Sequence, residues 1–166
     1  AAAGDVFIHQ VSGNTNTITL TGAVSAKGGA TGTAGASSDG GKVTVWNEAG
    51  AISLDGTIDV SKNASGTNDG AIRLKASGNI TDTTNASLVG DTNGSLSAYS
   101  TGGKITLTQG ATTAGTASGN LGDGTKGHKL ATVAFKTDTA AGTDGSITYL
   151  DQTGLTVGSV TAGATT

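Results

Sequence analysis

Thr17-Ile18-Thr19-Leu20, Ala51-Ile52-Ser53-Leu54, Asn79-Ile80-Thr81-Asp82, Lys104-Ile105-Thr106-Leu107 and Ser146-Ile147-Thr148-Tyr149 are five copies of one phrase. The second position is always Ile and the third always Ser or Thr. In a β-strand these neighbours point to opposite faces, so each copy sets an apolar side chain against a hydroxyl across one strand. The Ile residues fall 34, 28, 25 and 42 positions apart. Recurrence at this spacing marks a solenoid whose strands persist while the connections vary in length.

Two further apolar positions travel with the phrase. Six residues after the Ile stand Val24, Ile58, Ala86 and Ala111, and two residues later Ala26, Val60, Leu88 and Thr113. The fifth copy offers Leu155 and Val157 instead. Upstream, Val6-Phe7-Ile8, Val43-Thr44-Val45, Ile72-Arg73-Leu74 and Leu96-Ser97-Ala98 supply a third strand, with Val133-Ala134-Phe135 the corresponding stretch before the fifth Ile. Three short strands per repeat predict a right-handed parallel β-helix (β-solenoid) of about five to six rungs. The whole of 1–166 reads as a single domain, with variable insertions near 27–39 and 112–127. The first insertion, rich in Gly and Ser, is expected to be mobile. The last stretch, 155–160, reads as the start of a sixth rung.

Composition agrees with a narrow core. Of 166 residues 29 are Gly, only 3% are aromatic and 13% are charged, and Pro, Cys and Met are absent. Such a chain has too few large side chains for a conventional globular core, and its low hydrophobicity would otherwise suggest disorder. Disordered Gly/Ser/Thr sequence has no reason to hold Ile at five matched places, whereas a column of β-branched residues stacked ~4.8 Å apart does. Each Ile buried in such a column contributes about 1.5–3 kcal/mol. The absence of Cys excludes disulfide and thiol chemistry. No apolar run approaches the roughly 20 residues of a membrane-spanning helix. The net charge of −3 and the scattered Lys and Arg argue against nucleic acid as a partner. The chain starts at Ala1 without Met and reads as a processed or excised piece of a longer one.

The chemistry-bearing residues are sparse. Asp39-Gly40, Asp69-Gly70, Asp123-Gly124 and Asp144-Gly145, with the variant Asp91-Thr92-Asn93-Gly94, recur near rung boundaries. They read as turns in which Asp accepts an N–H two residues on and Gly supplies a positive φ. Calcium would demand tandem Gly-Gly-x-Gly-x-Asp, which is missing. His9 and His128 lie far apart and read as solvated or edge histidines. Asp55 and Asp59 share a rung, but paired-carboxylate hydrolysis needs a defined separation, and Thr83 and Thr108 replace Asp55 in its column. No nucleophile elbow, P-loop or dinucleotide fingerprint occurs. The expectation is therefore no enzyme, no cofactor and no metal.

The hydroxyl column Thr19, Ser53, Thr81, Thr106, Thr148 invites an ice-binding reading. Asp55 and Leu150 interrupt the second column that a flat Thr array requires, so ordinary β-propensity accounts for it. Trp46 alternates outward beside Val45, where it covers an insertion or contacts a glycan. The sequons at Asn63, Asn79, Asn85 and Asn93 are candidate glycosylation sites.

Gly103-Lys104-Ile105-Thr106-Leu107, Gly145-Ser146-Ile147-Thr148-Tyr149 and Leu155-Thr156-Val157-Gly158 resemble the repeats of filamentous-haemagglutinin-type exoproteins, bacterial adhesins of two-partner secretion systems. The resemblance implies export through an outer-membrane barrel transporter, a secreted or cell-surface location, and a role in adhesion, biofilm or contact-dependent competition. The implied partners are other proteins or host or matrix glycans. Separately from the resemblance, the ends of such a rod are unpaired strand edges at which copies can stack end to end. A self-assembling subunit of an extracellular fibre is therefore the second reading, and a glycan-binding or carbohydrate-active β-helix the third. The Asn-Pro motifs of that family's secretion domain are absent, so the resemblance implies an interior shaft segment.

Overall fold

The structure, a computed structural model, describes residues 3–29, 38–90, 92–109, 127–140, 143–152 and 154–159. The chain runs through repeated turns. The first comprises β1 (Val6–Gln10), β2 (Ile18–Leu20) and β3 (Val24–Ser25). The second comprises β4 (Lys42–Asn47), β5 (Ile52–Leu54) and β6 (Thr57–Asp59), and the third β7 (Ala71–Ala76), β8 (Ile80–Asp82) and β9 (Ser87–Val89). The fourth holds β10 (Ser95–Ser100) and β11 (Ile105–Leu107), the fifth β12 (Thr132–Thr137) and β13 (Ile147–Tyr149), and β14 (Thr156–Val157) opens a sixth. Corresponding strands pair in parallel, giving sheets ordered β1-β4-β7-β10-β12-β14, β13-β11-β8-β5-β2 and β3-β6-β9. The described residues contain no helix, and the whole is a solenoid-like stack.

Register follows the repeated phrase. Ile18 pairs with Ile52, Ile52 with Ile80, Ile80 with Ile105 and Ile105 with Ile147. Ile52, Ile80 and Ile105 are fully buried, while Ile147 in the fifth turn is 42% exposed. Val6, Val43, Ile72, Leu96 and Val133 form a matching inward column on the six-stranded sheet. Alternation is strict along β4 and β10, where every second residue is buried. One-residue slippage would turn all these side chains to solvent, so burial itself pins the register.

The smallest sheet departs from the expected alignment. Ile58 pairs with Leu88, not with Ala86, because the corner between β8 and β9 is two residues longer than that between β5 and β6. An even shift preserves the face, so Ala86 and Leu88 are both still buried. In the fourth turn the place beside β9 is taken by 128–130, where Lys129 bridges Val89. Ala111 and Thr113, expected there, lie outside the described residues. The fourth turn therefore extends to residue 130, past the insertion expected near 112–127. In the fifth turn Asp151 bridges His128, and Thr156 and Val157 instead join the six-stranded sheet against Thr132 and Val133. The expected insertions are described only at 27–29, 38–39 and 127.

The Asp-Gly pairs also work differently from expectation. The Oδ1 of Asp39 accepts the N–H groups of Thr67 and Asn68, one turn along the stack. Asp69 likewise accepts from Thr92 and Asn93 through Oδ2, and from Lys62 through Oδ1. Asp91 and Asp123-Gly124 lie outside the described residues. Among the described pairs only Asp144 makes the local bond, from the Ser146 N–H, and it lies before β13 of the second sheet. The glycines after them do not have positive φ. They are needed for space: a Cβ at Gly70 would lie 1.7 Å from the Gly41 carbonyl oxygen, and one at Gly40 1.9 Å from that of Val60.

Candidate functional site

The outward face of the six-stranded sheet gathers a row of large polar side chains. Pairing aligns His9, Trp46, Lys75, Tyr99 and Lys136 in one column across five turns. The His9 and Trp46 rings stack with centroids 4.4 Å apart and planes 18° apart. Lys75 Nζ sits 4.6 Å from the Trp46 centroid and 6.0 Å from that of Tyr99, and Lys136 Nζ lies 5.0 Å from Tyr99. Cation–π attraction between such neighbours contributes about 0.5–1 kcal/mol each at exposed positions. Trp46 faces outward as its alternation predicts. Its ring is flanked by His9 and Lys75, so it forms part of a ridge along the stack.

Carboxylates close both ends of this column. His9 Nε2 lies 2.9 Å from Glu48 Oε1, and Glu48 Oε2 accepts the Ser12 N–H. That backbone bond, and then His9, hold the Glu48 carboxyl below the usual range. At the other end Lys136 Nζ donates to Asp138 Oδ2 at 2.8 Å, and Tyr99 Oη donates to the same oxygen. The Lys136 bond, followed by that from Tyr99, lowers the Asp138 pKa. Reciprocally, the bond to Asp138 raises the pKa of Tyr99 and of Lys136. The column was legible from sequence once strands were aligned on Val43, Ile72, Leu96 and Val133, since each member stands three residues further on.

A second cluster lies inside the stack. Asp82 pairs with Leu54 of β5, an inward position, and its side chain is 1% exposed. His128, read from sequence as solvated or at an edge, is fully buried. Its Nε2 stands 3.1 Å from Asp82 Oδ2, and its Nδ1 accepts the Leu88 N–H at 3.2 Å. An acceptor role at Nδ1 assigns the remaining ring proton to Nε2, which donates to the carboxylate. Asp82 also accepts from the Thr108 and Gln109 N–H groups at 3.0 and 2.7 Å. The Tyr149 ring lies 5.5 Å from that of His128, and its hydroxyl donates to Asp151. Burial, then the Asp151 carboxylate, push the Tyr149 pKa strongly up. A His–Asp pair of this kind could orient a general base, but both groups are enclosed and no reacting atom can reach them. Its spatial role is to tie 127–130 onto β8 and β9 after the long connection. Sequence reading missed His128 because that connection hides its register.

The other predicted residues stand at corners. Asp55 accepts from the Thr83 hydroxyl and from Asn85 Nδ2, and Asp59 accepts the Ser61 N–H and pairs with Lys27 at 3.6 Å. These two carboxylates thus brace corners. Among the sequons, Asn63 donates to the Gly29 carbonyl, Asn85 to Asp55, and Asn93 to the Thr67 carbonyl. Asn79 uses its oxygen to accept the Lys104 N–H. Thr19, Ser53, Thr81, Thr106 and Thr148 do align in one outward column. No group of three His, Asp or Glu side chains suited to a metal converges among the described residues. No family model, no curated protein and no solved structure matches the chain.

Proposed function

We propose that the chain is a structural rod, a right-handed parallel β-helix serving as a shaft segment of a secreted bacterial surface adhesin. The observation that carries the rod is the unbroken register from Ile18 to Ile147, with strand pairing in parallel throughout. The right hand follows from the strong preference of parallel crossover connections within one sheet. Continuous ladders of backbone hydrogen bonds along the stack resist bending, which suits a spacer that holds binding regions away from a cell. The adhesin assignment rests on the repeat resemblance. In this reading the chain passes an outer-membrane transporter, works at the cell surface, has no catalytic or cofactor role, and meets protein or glycan partners. Negative-stain microscopy of the parent protein tests it. The expected image is a thin rod lengthening by ~4.8 Å for each added turn. A flexible or globular particle would sink the reading.

A second reading is a self-assembling subunit of an extracellular fibre. It is favoured by Ile147 and Val157, which continue inward columns yet are exposed on β13 and β14, the last strands of their sheets among the described residues. Terminal strands offer unpaired backbone groups to a second copy. Sedimentation of the 166-residue chain over a range of concentrations separates the readings. Growth into long polymers supports the fibre, and a constant monomer removes it.

A further inference from the structure

The stack treats the asparagines of its four sequons differently. Asn63 donates through Nδ2 to the Gly29 carbonyl, and the Ser65 hydroxyl of the same sequon bonds that of Ser38. Asn85 donates to Asp55, and Ser87, the hydroxyl residue of its sequon, is buried. Asn93 sets its amide nitrogen between the Thr67 carbonyl and Asn68 Oδ1, while its oxygen accepts the Asp69 N–H at 2.7 Å. In these three the amide nitrogen belongs to a corner. Asn79 differs: it is exposed, its Oδ1 accepts the Lys104 N–H at 2.9 Å, and its Nδ2 has no partner among the described residues. An N–H bonds only to an acceptor, so the contact with Lys104 also fixes which end of the amide is left open.

We infer that Asn79 is the N-glycan attachment site of this chain, taking a hexose or N-acetylhexosamine on Nδ2. Asn79 immediately precedes β8, where Ile80 is fully buried and Thr81 faces outward beside Ser53 and Thr106. Strand alternation therefore sets the acceptor amide and the sequon hydroxyl on one face, ~6.6 Å apart along the strand. The neighbours leave room for a bulky group. Ala51 and Lys104 flank Asn79 in the adjoining turns, and Lys104 Nζ is drawn to Asp144 at 2.5 Å, one turn further on. The donor is a sugar activated through a diphosphate. Nδ2 attacks its anomeric carbon, and the new C–N bond forms as the C–O bond to the diphosphate breaks. The diphosphate leaves with the electron pair, and the amide proton passes to a base of the transferase. The product keeps the Oδ1 bond to Lys104, whereas a sugar at any of the other three sequons would displace a corner contact. The inference stands on the fold and does not depend on the adhesin reading.

Enzymatic glycosylation of the folded 166-residue chain, read by glycopeptide mass spectrometry, tests this. One arm supplies a soluble N-glycosyltransferase with a nucleotide-activated hexose, the other an oligosaccharyltransferase with a polyprenyl-linked oligosaccharide. Each enzyme is first shown to modify a short peptide carrying Asn79-Ile80-Thr81, and the arm that modifies the folded chain identifies the donor. The expected result is occupancy at Asn79 well above that at Asn63, Asn85 and Asn93. Asn79→Asp keeps an acceptor for the Lys104 N–H, and Thr81→Val keeps the strand, so each should abolish the modification with the far-UV spectrum unchanged. An unmodified Asn79 in both arms, equal or greater occupancy at another sequon, or modification that survives Thr81→Val would each overturn the inference.

Discussion

Asp82 stands in a column otherwise held by Leu20, Leu54, Leu107 and Tyr149, and it is tolerated there because every oxygen is used. Replacing it by Leu would restore the apolar column but strand the Thr108 and Gln109 N–H groups and the His128 ring. Asp82→Leu is therefore expected to lower stability by about 3–5 kcal/mol in urea denaturation. Asp82→Leu/His128→Leu should recover little of that loss, since it exchanges the stranded imidazole N–H for a stranded Leu88 N–H. The tyrosines give a pH prediction. Both are held above their ordinary pKa, Tyr99 chiefly by its bond to Asp138 and Tyr149 chiefly by burial. A raised folded-state value means that their contribution is complete below the unfolded pKa of about 10 and is lost as pH rises beyond it. In an alkaline titration, phenolate absorbance should lag behind that of the urea-unfolded chain. Coincident curves would refute this. The inward Ile positions were readable from sequence because strand alternation is local. The Asp82–His128 contact was not, since 46 positions separate its partners.

At the scale of single elements, corners rather than strands decide the shape. The five inward residues closing the first-sheet strands are Gln10, Asn47, Ala76, Ser100 and Thr137, and four of them bind corner backbone through their side chains. Asn47 is the most engaged: its amide donates to the Asn16 and Ala51 carbonyls and its oxygen accepts from Ala49 and Gly50. Asn47→Ala strands the Ala49 and Gly50 N–H groups, while the Asn16 and Ala51 carbonyls keep Gln10 Nε2 and the Ile18 N–H, so the expected cost is about 1–3 kcal/mol by denaturation. Two glycines should separate space from φ. Gly13 has φ +97° with open surroundings, so Gly13→Ala is expected to cost only about 1–2 kcal/mol. Gly70→Ala drives a Cβ into backbone and should cost more than about 3 kcal/mol. Melting temperatures in the reverse order would contradict the geometry. Sequence showed that Gly70 follows Asp at a turn. It could not show that the turn above comes within contact distance.

Over the whole molecule, each turn rests only on its neighbours, so protection should grade from the middle outward. Val43, Ile52, Ile72 and Ile105 are fully buried, whereas Val6 and Ile18 are partly so and Val157 is 74% exposed. Native-state hydrogen exchange is expected to be slowest in β4, β7 and β10 and fastest in β1 and β14. Uniform protection along the stack would show that it opens as one unit.

The sequence by itself determined the strand phrase, the inward Ile column, the upstream strand in all five turns and the sixth strand. Each depends on alternation within a few residues and on burial that a slipped register would forfeit. Tertiary structure alone decided the two-residue shift at Leu88, the return of the chain at 128–130 and the internal His128. It also decided that Asp39 and Asp69 serve the turn beyond their own. These depend on how far a connection travels before the chain rejoins the stack, and sequence-local preferences carry no term for that distance.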